Sequence, residues 1–468
     1  MSKILSIAQP QRRGQTPPSV PLAAWRNTLL GLASLFISGL AVAAQDIDRM
    51  DRVIRTSVDD GEFSGSVLVA RGDEILLDRG YGLANREWNI ANDGDTVFRL
   101  GSVSKQFTAV AIMLLNERGA VDLDAPLKTY LPDAPAAWHR ITVRRLLTHT
   151  AGVPDFTRFE DYDALKTRPA TLTSLIERFS SRPLAFEPGS AFAYSNSGYV
   201  LLTAVIEQAS GMTYADFIAR NLLEPLGMSA TGYDAAAPIL PRRASGYVVA
   251  TGGIENAPYV DMSIPQGAGG LYSTTHDLLK WERGLFGGRV LRPESLALLT
   301  TPQRNDYAFG LISTTDGGHR IVRHNGAIEG FNSWLAHADD GVTVVVLGNL
   351  NAPGPDKLGP ALMTLAHGGD VVLQNERMAI TVEREVLQAY VGVYQAAPTF
   401  SFTISDVDGR LMAQATGQPA FELFADAADQ FFLKVVDAQM SFVRNADGAV
   451  TGLVLHQGGR DLPANKIE

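Results

Sequence analysis

The pattern of apolar and polar positions is strand-like in some parts of the chain and helical in others. The positions where it changes predict the order of the secondary-structure elements and the domains. Five runs have the composition of strands: Gly65–Ala70, Glu74–Arg79, Arg320–His324, Asn332–His337 and Val342–Leu347. Arg71-Gly72-Asp73 and Asp339-Asp340-Gly341 are typical of the turns that join such runs into hairpins. Between about 120 and 290 the pattern is mostly helical. Strands at both ends of a helical middle predict an α/β (α+β) domain, whose termini build one antiparallel sheet flanked by a helical subdomain.

Three helices are indicated most clearly within this region. One begins at Ser102 and carries apolar residues at helical spacing, and the other two cover Gly198–Ala209 and Tyr214–Leu222. Glu224-Pro225 is predicted to end the last of them, because proline disfavours a helix interior. An amphipathic stretch near Asp46–Ser57 precedes the first strand.

A period of two appears after residue 385. The runs Thr399–Ile404, Leu411–Ala415, Phe431–Val436 and Ser441–Arg444 alternate, and Asp408-Gly409 and Asp447-Gly448 are predicted turns. We expect a small all-β domain over 386–468, either a barrel or a sandwich, behind a linker over 368–385. The α/β domain is then predicted over 45–367.

The first 44 residues have the layout of a signal peptide. A basic stretch ends at Arg26, an apolar run covers Leu29–Val42, and Ala41-Val42-Ala43 is a predicted cleavage site. The apolar run is shorter than the ~20 residues that a membrane span needs. We therefore expect export, to the periplasm or the medium, with no stable membrane partner.

Charge and cysteine content narrow the classes of partner and chemistry. The formal net charge is −10 and basic clusters are absent from the sequence, which argues against nucleic acid as a partner. The chain has no cysteine, so disulfides, a thiol nucleophile and thiolate metal sites are excluded. H-E-x-x-H and P-loop motifs are also missing, so the sequence implies no metal and no cofactor.

Ser102-Val103-Ser104-Lys105 is the one S-x-x-K arrangement in the chain. Residues three apart share a helix face, so the serine oxygen and the lysine amine can come within hydrogen-bond reach. A buried lysine can lose its proton and activate the hydroxyl. At the first turn of a helix, the serine N–H is also unpaired and faces developing negative charge.

Two further motifs carry groups that complement this pair. Tyr194-Ser195-Asn196 lies in a Gly/Ser-rich loop; its phenol can shuttle a proton, and its amide can hold a substrate carbonyl or the lysine. His324-Asn325-Gly326 ends a predicted strand, where glycine lets a substrate approach the strand edge. H-x-G also occurs at His367 and His456, and we interpret both as coincidences.

In this order the three motifs resemble the serine β-lactamase and penicillin-binding protein superfamily. The segments LLTHTAGVPD (146–155), LLEPLGMSATGY (222–233) and GAGGLYSTTHDLLKW (267–281) narrow the resemblance to its class C-type branch. That branch includes class C β-lactamases, D-alanyl-D-alanine carboxypeptidases, D-aminopeptidases and esterases. The similarity covers about 46–367, and the tail from 387 is similar to a small β-domain attached to many of these hydrolases.

The resemblance implies a role for each motif residue. Ser102 would be the acylated nucleophile, Lys105 its activating partner, and Tyr194 the general base or proton shuttle. Asn196, His324 and Gly326 would bind substrate, and the N–H groups of Ser102 and Ala327 would form the oxyanion hole. His149, in the Thr148-His149 pair, is interpreted as a packing residue.

One departure from the family pattern decides the expected function. Class C β-lactamases usually have lysine where this chain has His324, and an imidazole anchors a carboxylate less strongly than an ammonium does. We therefore expect a secreted serine hydrolase that acts on D-amino-acid peptides or small esters, with a β-lactamase or a penicillin-binding sensor without turnover as alternatives. An α/β-hydrolase is disfavoured because no serine has the G-x-S-x-G context. The substrate and the oligomeric state stay open.

Overall fold

The computed structural model describes residues 47–467, apart from 437 and 458–459. The predicted signal peptide, 1–44, lies outside the described residues. Among the helices that are described, none is long and apolar enough to cross a bilayer. The predicted domain boundaries near 367 and 386 stay predictions.

The strands described between residues 47 and 351 form one large sheet and three small ones. Their bounds are β1 Gly65–Arg71, β2 Glu74–Tyr81, β3 Leu83–Asn85, β4 Ile90–Ala91, β5 Phe98–Arg99, β6 Gly232–Tyr233, β7 Tyr247–Ala250, β8 Gly253–Asn256, β9 Leu271–Ser273, β10 Ile312–Asp316, β11 His319–Ile328, β12 Phe331–Ala338, β13 Val342–Gly348 and β14 Leu350–Asn351. The large sheet is antiparallel with the order β10-β11-β12-β13-β1-β2. The prediction of one sheet built from both ends of the region is confirmed.

The helices lie mainly between the two groups of strands. They are α1 47–59, α2 Ser104–Glu117, α3 Val143–Leu147, α4 Tyr162–Leu165, α5 Leu172–Ser180, α6 Asn196–Ser210, α7 Tyr214–Ile218, α8 Glu224–Leu226, α9 Thr275–Phe286, α10 Pro293–Thr300, α11 Gly354–Ala366 and α12 Arg384–Leu387. Two aromatic side chains join α2 to α9, since Phe107 stacks on Trp281 with 4.0 Å between ring centroids. Every α2 residue from Ser104 to Leu115 is buried, so α2 runs through the core as a helix that is covered on all sides.

The predicted end of α7 at Glu224-Pro225 is wrong. A π-helical turn over Ala219–Leu223 continues α7 directly into α8, and Pro225 sits in the first turn of that helix. Pro225 stands at the junction where π-helical pairing gives way to α8, just after the Glu224 N–H donates to Ala219, and this position tolerates a residue without an N–H. Gly227, at φ +68°, ends the run instead.

The C-terminal strands close into an eight-stranded barrel, which selects one of the two predicted all-β architectures. Its strands are β15 Gly392–Ala397, β16 Phe400–Val407, β17 Arg410–Ala415, β18 Ala420–Ala427, β19 Gln430–Leu433, β20 Ala438–Arg444, β21 Val450–Gln457 and β22 Arg460–Lys466. Asp408 and Gly409 both have positive φ, as a type I′ hairpin turn requires. Tyr394, Phe402 and Phe431 belong to a separate hydrophobic core inside the barrel.

Candidate active site

Ser102 lies in a 3₁₀ turn, Gly101–Val103, that leads directly into α2. Gly101 precedes it with φ +52°, and a Cβ there would come within 2.9 Å of the Ala327 backbone. The turn can therefore press against strand β11 only because position 101 has no side chain. This close approach brings the nucleophile to the edge of the central sheet.

The Lys105 amine is held against Ser102 in a fully buried position. Its Nζ lies 3.0 Å from Ser102 Oγ, 2.9 Å from Asn196 Oδ1 and 2.8 Å from the Ala268 carbonyl. Burial lowers the pKa of Lys105 to about 7, while the nearby Asp155 carboxylate acts in the opposite direction. Since an unshifted lysine titrates near 10.5, a substantial fraction of this amine is neutral at neutral pH and can accept a proton.

Tyr194 also contacts the nucleophile. Burial raises the pKa of its phenol well above 10, and a hydrogen bond with Ser102 lowers it in part. Lys105 Nζ also lies 4.8 Å from the Tyr194 ring centroid. The opposite pKa shifts of the two groups favour Lys105 as the first proton acceptor and Tyr194 as a neutral shuttle.

Asn196 begins α6 and connects Lys105 to Asp155. Its Oδ1 accepts from Lys105, while its Nδ2 lies 3.3 Å from Asp155 Oδ2 and 3.2 Å from Thr157 Oγ1. Its backbone N–H also donates to Asp155, at 3.2 Å. The amide is therefore fixed within the protein, and its contact with Lys105 is made in the free enzyme.

His324 and Gly326 lie on β11, beside the turn that carries Ser102. A Cβ on Gly326 would come 2.1 Å from the Leu100 carbonyl oxygen and 3.0 Å from the Ser102 nitrogen. Glycine is thus required for the packing of the strand against the turn, as well as for an open strand edge. Ala327 follows at an exposed position. The N–H groups predicted to form the oxyanion hole, those of Ser102 and Ala327, therefore belong to two backbone segments that pack against each other.

A buried chain of hydrogen bonds fixes the imidazole of His324. Nδ1 lies 2.5 Å from the Asn325 carbonyl, which can only accept, so Nδ1 carries the proton. Burial lowers the pKa of His324 to about 3, so the ring is neutral and Nε2 accepts from the Tyr307 hydroxyl at 3.1 Å. Both nitrogens are engaged inside the protein, so the predicted contact of His324 with substrate stays a prediction.

The chain continues from Tyr307 to His149. The His149 Nε2 lies 3.1 Å from the Tyr307 oxygen, and its Nδ1 accepts from the Ser195 N–H, also at 3.1 Å. His149 is buried, and its ring lies 4.2 Å from that of Tyr194. The residue therefore packs, as interpreted from the sequence, and it also supports the loop that presents Tyr194.

Two cavities meet at Ser102 and Ala327. The first, of about 350 Å³, is bounded by residues that include Phe156, Asn196 and Glu329. The second, of about 430 Å³, contains Tyr194, Tyr307 and His324 in its wall. Cavities of this size suit small ligands. In the described part of the chain, no lysine or arginine lines either of them.

The predicted site residues are thus brought together at one place. Six of them line one or both cavities: Ser102, Tyr194, Asn196, His324, Gly326 and Ala327. Lys105 contacts the cavity residues Asn196 and Ala268. His367 and His456, which also begin H-x-G, lie at the end of α11 and in barrel strand β21. Sequence reasoning did not single out Asp155 or Tyr307; Asp155 lies within LLTHTAGVPD, while no motif marks Tyr307.

Comparison with known proteins agrees with this geometry. A family model described as Beta-lactamase matches residues 50–368, which is more than half of the chain. The chain belongs to the β-lactamase family. A second model, described as a domain of unknown function (DUF3471), matches residues 376–465 and so covers all of the barrel but its last strand residue. The predicted family, the α/β fold with a C-terminal β-domain, and the assignment as a serine hydrolase are confirmed.

Individual relatives within the β-lactamase family differ in their activities. Penicillin-binding protein 4* of Bacillus subtilis is 29% identical over 433 residues, 86% of this chain and 94% of its own. Esterase EstB of Burkholderia gladioli is 30% identical over 290 residues, 54% of this chain and 74% of its own. The structure of the D-amino acid amidase of Ochrobactrum anthropi SV3 superimposes with a TM-score of 0.62 at 25% identity, covering 69% of this chain and 99% of the amidase.

Proposed function

We propose that this protein is an exported serine hydrolase that cleaves amides or esters of small D-amino-acid derivatives through an acyl-enzyme on Ser102. Its family and the contact between Ser102 and a buried Lys105 support the reaction class. Among the described residues that line the two cavities, none is a lysine or arginine. This observation carries the proposed preference for substrates without a free carboxylate. The D-configuration rests on the similarity to the D-amino acid amidase.

The proposed acylation follows from the proton positions. Neutral Lys105 accepts the Ser102 proton as Oγ attacks the substrate carbonyl, and the N–H groups of Ser102 and Ala327 stabilise the oxyanion. The C–N or C–O bond then breaks, and the leaving group takes a proton from Lys105 by way of Tyr194. A water molecule, deprotonated by the same groups, hydrolyses the ester on Ser102 and releases the acid.

The charges around the cavities indicate which substrate ends fit. A substrate with a free carboxylate, such as penicillin or D-alanyl-D-alanine, finds no lysine or arginine in the described lining of either cavity, and His324 is neutral. The first cavity instead contains Glu329, whose carboxylate lies 3.0 Å from Lys166 Nζ. Lys166 also pairs with Asp163 at 2.6 Å, so two carboxylates share one ammonium. This excess negative charge favours a substrate with a free amine and a neutral leaving group.

Penicillin recognition is the second candidate. The similarity to penicillin-binding protein 4* over 86% of the chain favours it. A penicillin-binding sensor would acylate Ser102 and stop there, and a β-lactamase would release the product. Both require the enzyme to accept a carboxylate without a cationic partner, which is why we rank them below an amidase or esterase.

Intact-mass spectrometry, together with product release, tests the proposal. The probes are D-alanine p-nitroanilide, its N-acetyl derivative, p-nitrophenyl butyrate and benzylpenicillin. We expect the free-amine anilide and the ester to turn over, with kcat/KM at least tenfold lower for the N-acetyl anilide and for penicillin. In Glu329→Gln, the preference for the free amine should shrink, while ester hydrolysis should not change. A lasting penicillin adduct without turnover of any probe would support the sensor instead, and Ser102→Ala controls for nonspecific labelling.

Export is the part of the proposal that rests on the first 44 residues. Expression of the whole chain in a bacterium, followed by N-terminal sequencing of the protein from the periplasm and medium, tests it. We expect a new N-terminus close to residue 44. Recovery of the uncleaved chain from the cytoplasm would contradict the proposal.

A further inference from the structure

Three side chains with metal-binding atoms meet at the end of β11 away from the nucleophile. His319 begins β11, Asp340 lies in the turn between β12 and β13, and His367 follows the last residue of α11. One ligand atom from each lies within 4.8 Å of the other two. The three residues are far apart in sequence, and the fold brings them together; the hydrolase reaction uses none of them.

The hydrogen bonds of His367 leave one nitrogen available for a cation. Nδ1 lies 2.8 Å from the Met363 carbonyl, which can only accept, so Nδ1 carries the proton. In the neutral ring Nε2 then has a free lone pair, and it faces Asp340 Oδ1 at 3.2 Å. Two acceptors at this distance repel each other unless a positive charge lies between them. A metal ion bound by both atoms would provide that charge.

His319 is arranged in a similar way. Its Nδ1 lies 3.3 Å from Asp339 Oδ1, while Asp339 is itself held by the Arg320 N–H at 3.1 Å. Metal-binding histidines usually donate their second N–H to a carboxylate or carbonyl oxygen, which fixes the ring. The imidazoles of His319 and His367 stack with 4.3 Å between centroids. The ring planes are only 17° apart, so the His319 ring must turn for both rings to direct a nitrogen at one ion.

We propose that His319, Asp340 and His367 form a binding site for a divalent transition-metal ion, with Zn²⁺ as the best fit. Zinc accepts two imidazole nitrogens and one carboxylate oxygen in a tetrahedron, with water in the fourth position. Zn–N and Zn–O distances of about 2.0–2.1 Å place tetrahedral ligand atoms about 3.3 Å apart. The Nε2–Oδ1 separation of 3.2 Å already meets this requirement, and closure then depends on the reorientation of His319, whose ligand atom lies within 4.8 Å of the other two.

The bound ion would connect the C-terminal end of α11 to the central sheet. α11 packs on the sheet and ends just before the segment that leads to the barrel. Because an ion that binds only the folded state stabilises it by mass action, zinc should raise the melting temperature. The ion has no part in the acyl transfer at Ser102, so the proposal stands or falls independently of the substrate.

Calorimetric titration of the chelator-treated full chain with ZnSO₄ tests the site, together with thermal unfolding and the visible absorption of bound Co²⁺. We expect one Zn²⁺ per chain, a higher melting temperature, and the intense Co²⁺ bands of tetrahedral coordination. His367→Ala and Asp340→Asn should each weaken Zn²⁺ binding at least tenfold and remove the thermal shift. His139→Ala, which alters an exposed histidine elsewhere, is the matched control and should bind as the unaltered chain does.

Two results would overturn the proposal. One is a titration in which the unaltered chain binds no Zn²⁺ at micromolar concentrations. The other is binding that is equal in the unaltered chain, His367→Ala and Asp340→Asn, since the ion would then lie elsewhere. Circular dichroism of the metal-free variants separates loss of the site from loss of the fold. Asp340→Asn keeps the shape of its side chain, so it should fold even if His367→Ala does not.

Discussion

Lys105 Nζ lies 3.0 Å from Ser102 Oγ, and the lysine side chain is fully buried. Because the proposed base must be neutral to accept the serine proton, kcat/KM should rise with pH through the lysine pKa of about 7 and then level off. Lys105→Arg keeps a positive charge at every accessible pH and should lower kcat/KM by roughly 10²–10⁴-fold. A pH profile from 5 to 9 measures both effects, with Lys128→Arg, at an exposed site, as the control. A flat profile would contradict the role of Lys105.

Asp155 should set the position of that profile. Its carboxylate raises the pKa of Lys105 against the effect of burial, so removal of the negative charge lowers the lysine pKa further. Asp155→Asn should therefore move the acid limb of the kcat/KM profile to lower pH. The neutral amide keeps one oxygen acceptor for the Asn196 N–H, which limits the loss of structure.

The control for Asp155 is another acid near the same cavity. The Asp163 carboxylate is exposed and pairs with Lys166, at 2.6 Å. Asp163→Asn should leave the acid limb where it is. An Asp155→Asn profile that loses height at every pH without a shift would indicate that Asp155 only orients Asn196.

How far the sequence predicts this site depends on whether each residue belongs to a local pattern. Ser102 and Lys105 are three positions apart on one helix, so their contact follows from helix geometry alone. Tyr307 is different: it reaches His324 and His149 only after β10, β11 and the loop around 149 have packed together. No sequence spacing predicts the contacts of Tyr307 with these two histidines. The same is true of Asp155, whose effect on Lys105 acts through space.

The fold shows the same division between local and long-range information. Asp408-Gly409 was predictable as a hairpin turn because both positions need positive φ, and short polar or glycine residues tolerate it. Closure of the barrel depends on β15 pairing with β22, some 70 residues away, and no local signal contains that pairing. At Pro225 local propensity predicted the end of a helix, and this was wrong. The π-helical turn before it is followed at once by α8, which has the proline in its first turn.

Tyr307→Phe should impair turnover more than it impairs folding. The change leaves His324 Nε2 and His149 Nε2 without their partner, and His324 can then adopt the other tautomer or rotate. Loss of a buried hydrogen bond costs about 1–3 kcal/mol, which corresponds to a roughly five- to 150-fold lower kcat/KM if it acts on the transition state. Steady-state kinetics should show the loss in kcat, with KM little changed.

Tyr214→Phe is the matched control for Tyr307→Phe. Tyr214 is buried too, and its hydroxyl lies 2.7 Å from Thr108 Oγ1, outside the chain of residues that fixes His324. Both variants should lower the melting temperature, but only Tyr307→Phe should lower kcat. Equal losses of kcat in the two variants would mean that the Tyr307 hydroxyl serves packing alone.

Glu282 should make stability depend on pH. The side chain is 3% exposed on α9, and burial raises the pKa of its carboxyl from 4.5 to about 8. Between these values the folded state holds a proton that the unfolded state has lost, so the contribution of Glu282 is complete below pH 4.5 and declines as pH rises to 8. The slope is at most about 1.4 kcal/mol per pH unit for one proton.

Glu282→Gln is neutral throughout, so its stability relative to the unaltered chain should increase from pH 5 to pH 8. Urea unfolding midpoints at four pH values measure this difference, and Glu294→Gln, at an exposed position on α10, should show no trend. A constant difference across that range would show that Glu282 is ionised in the folded protein.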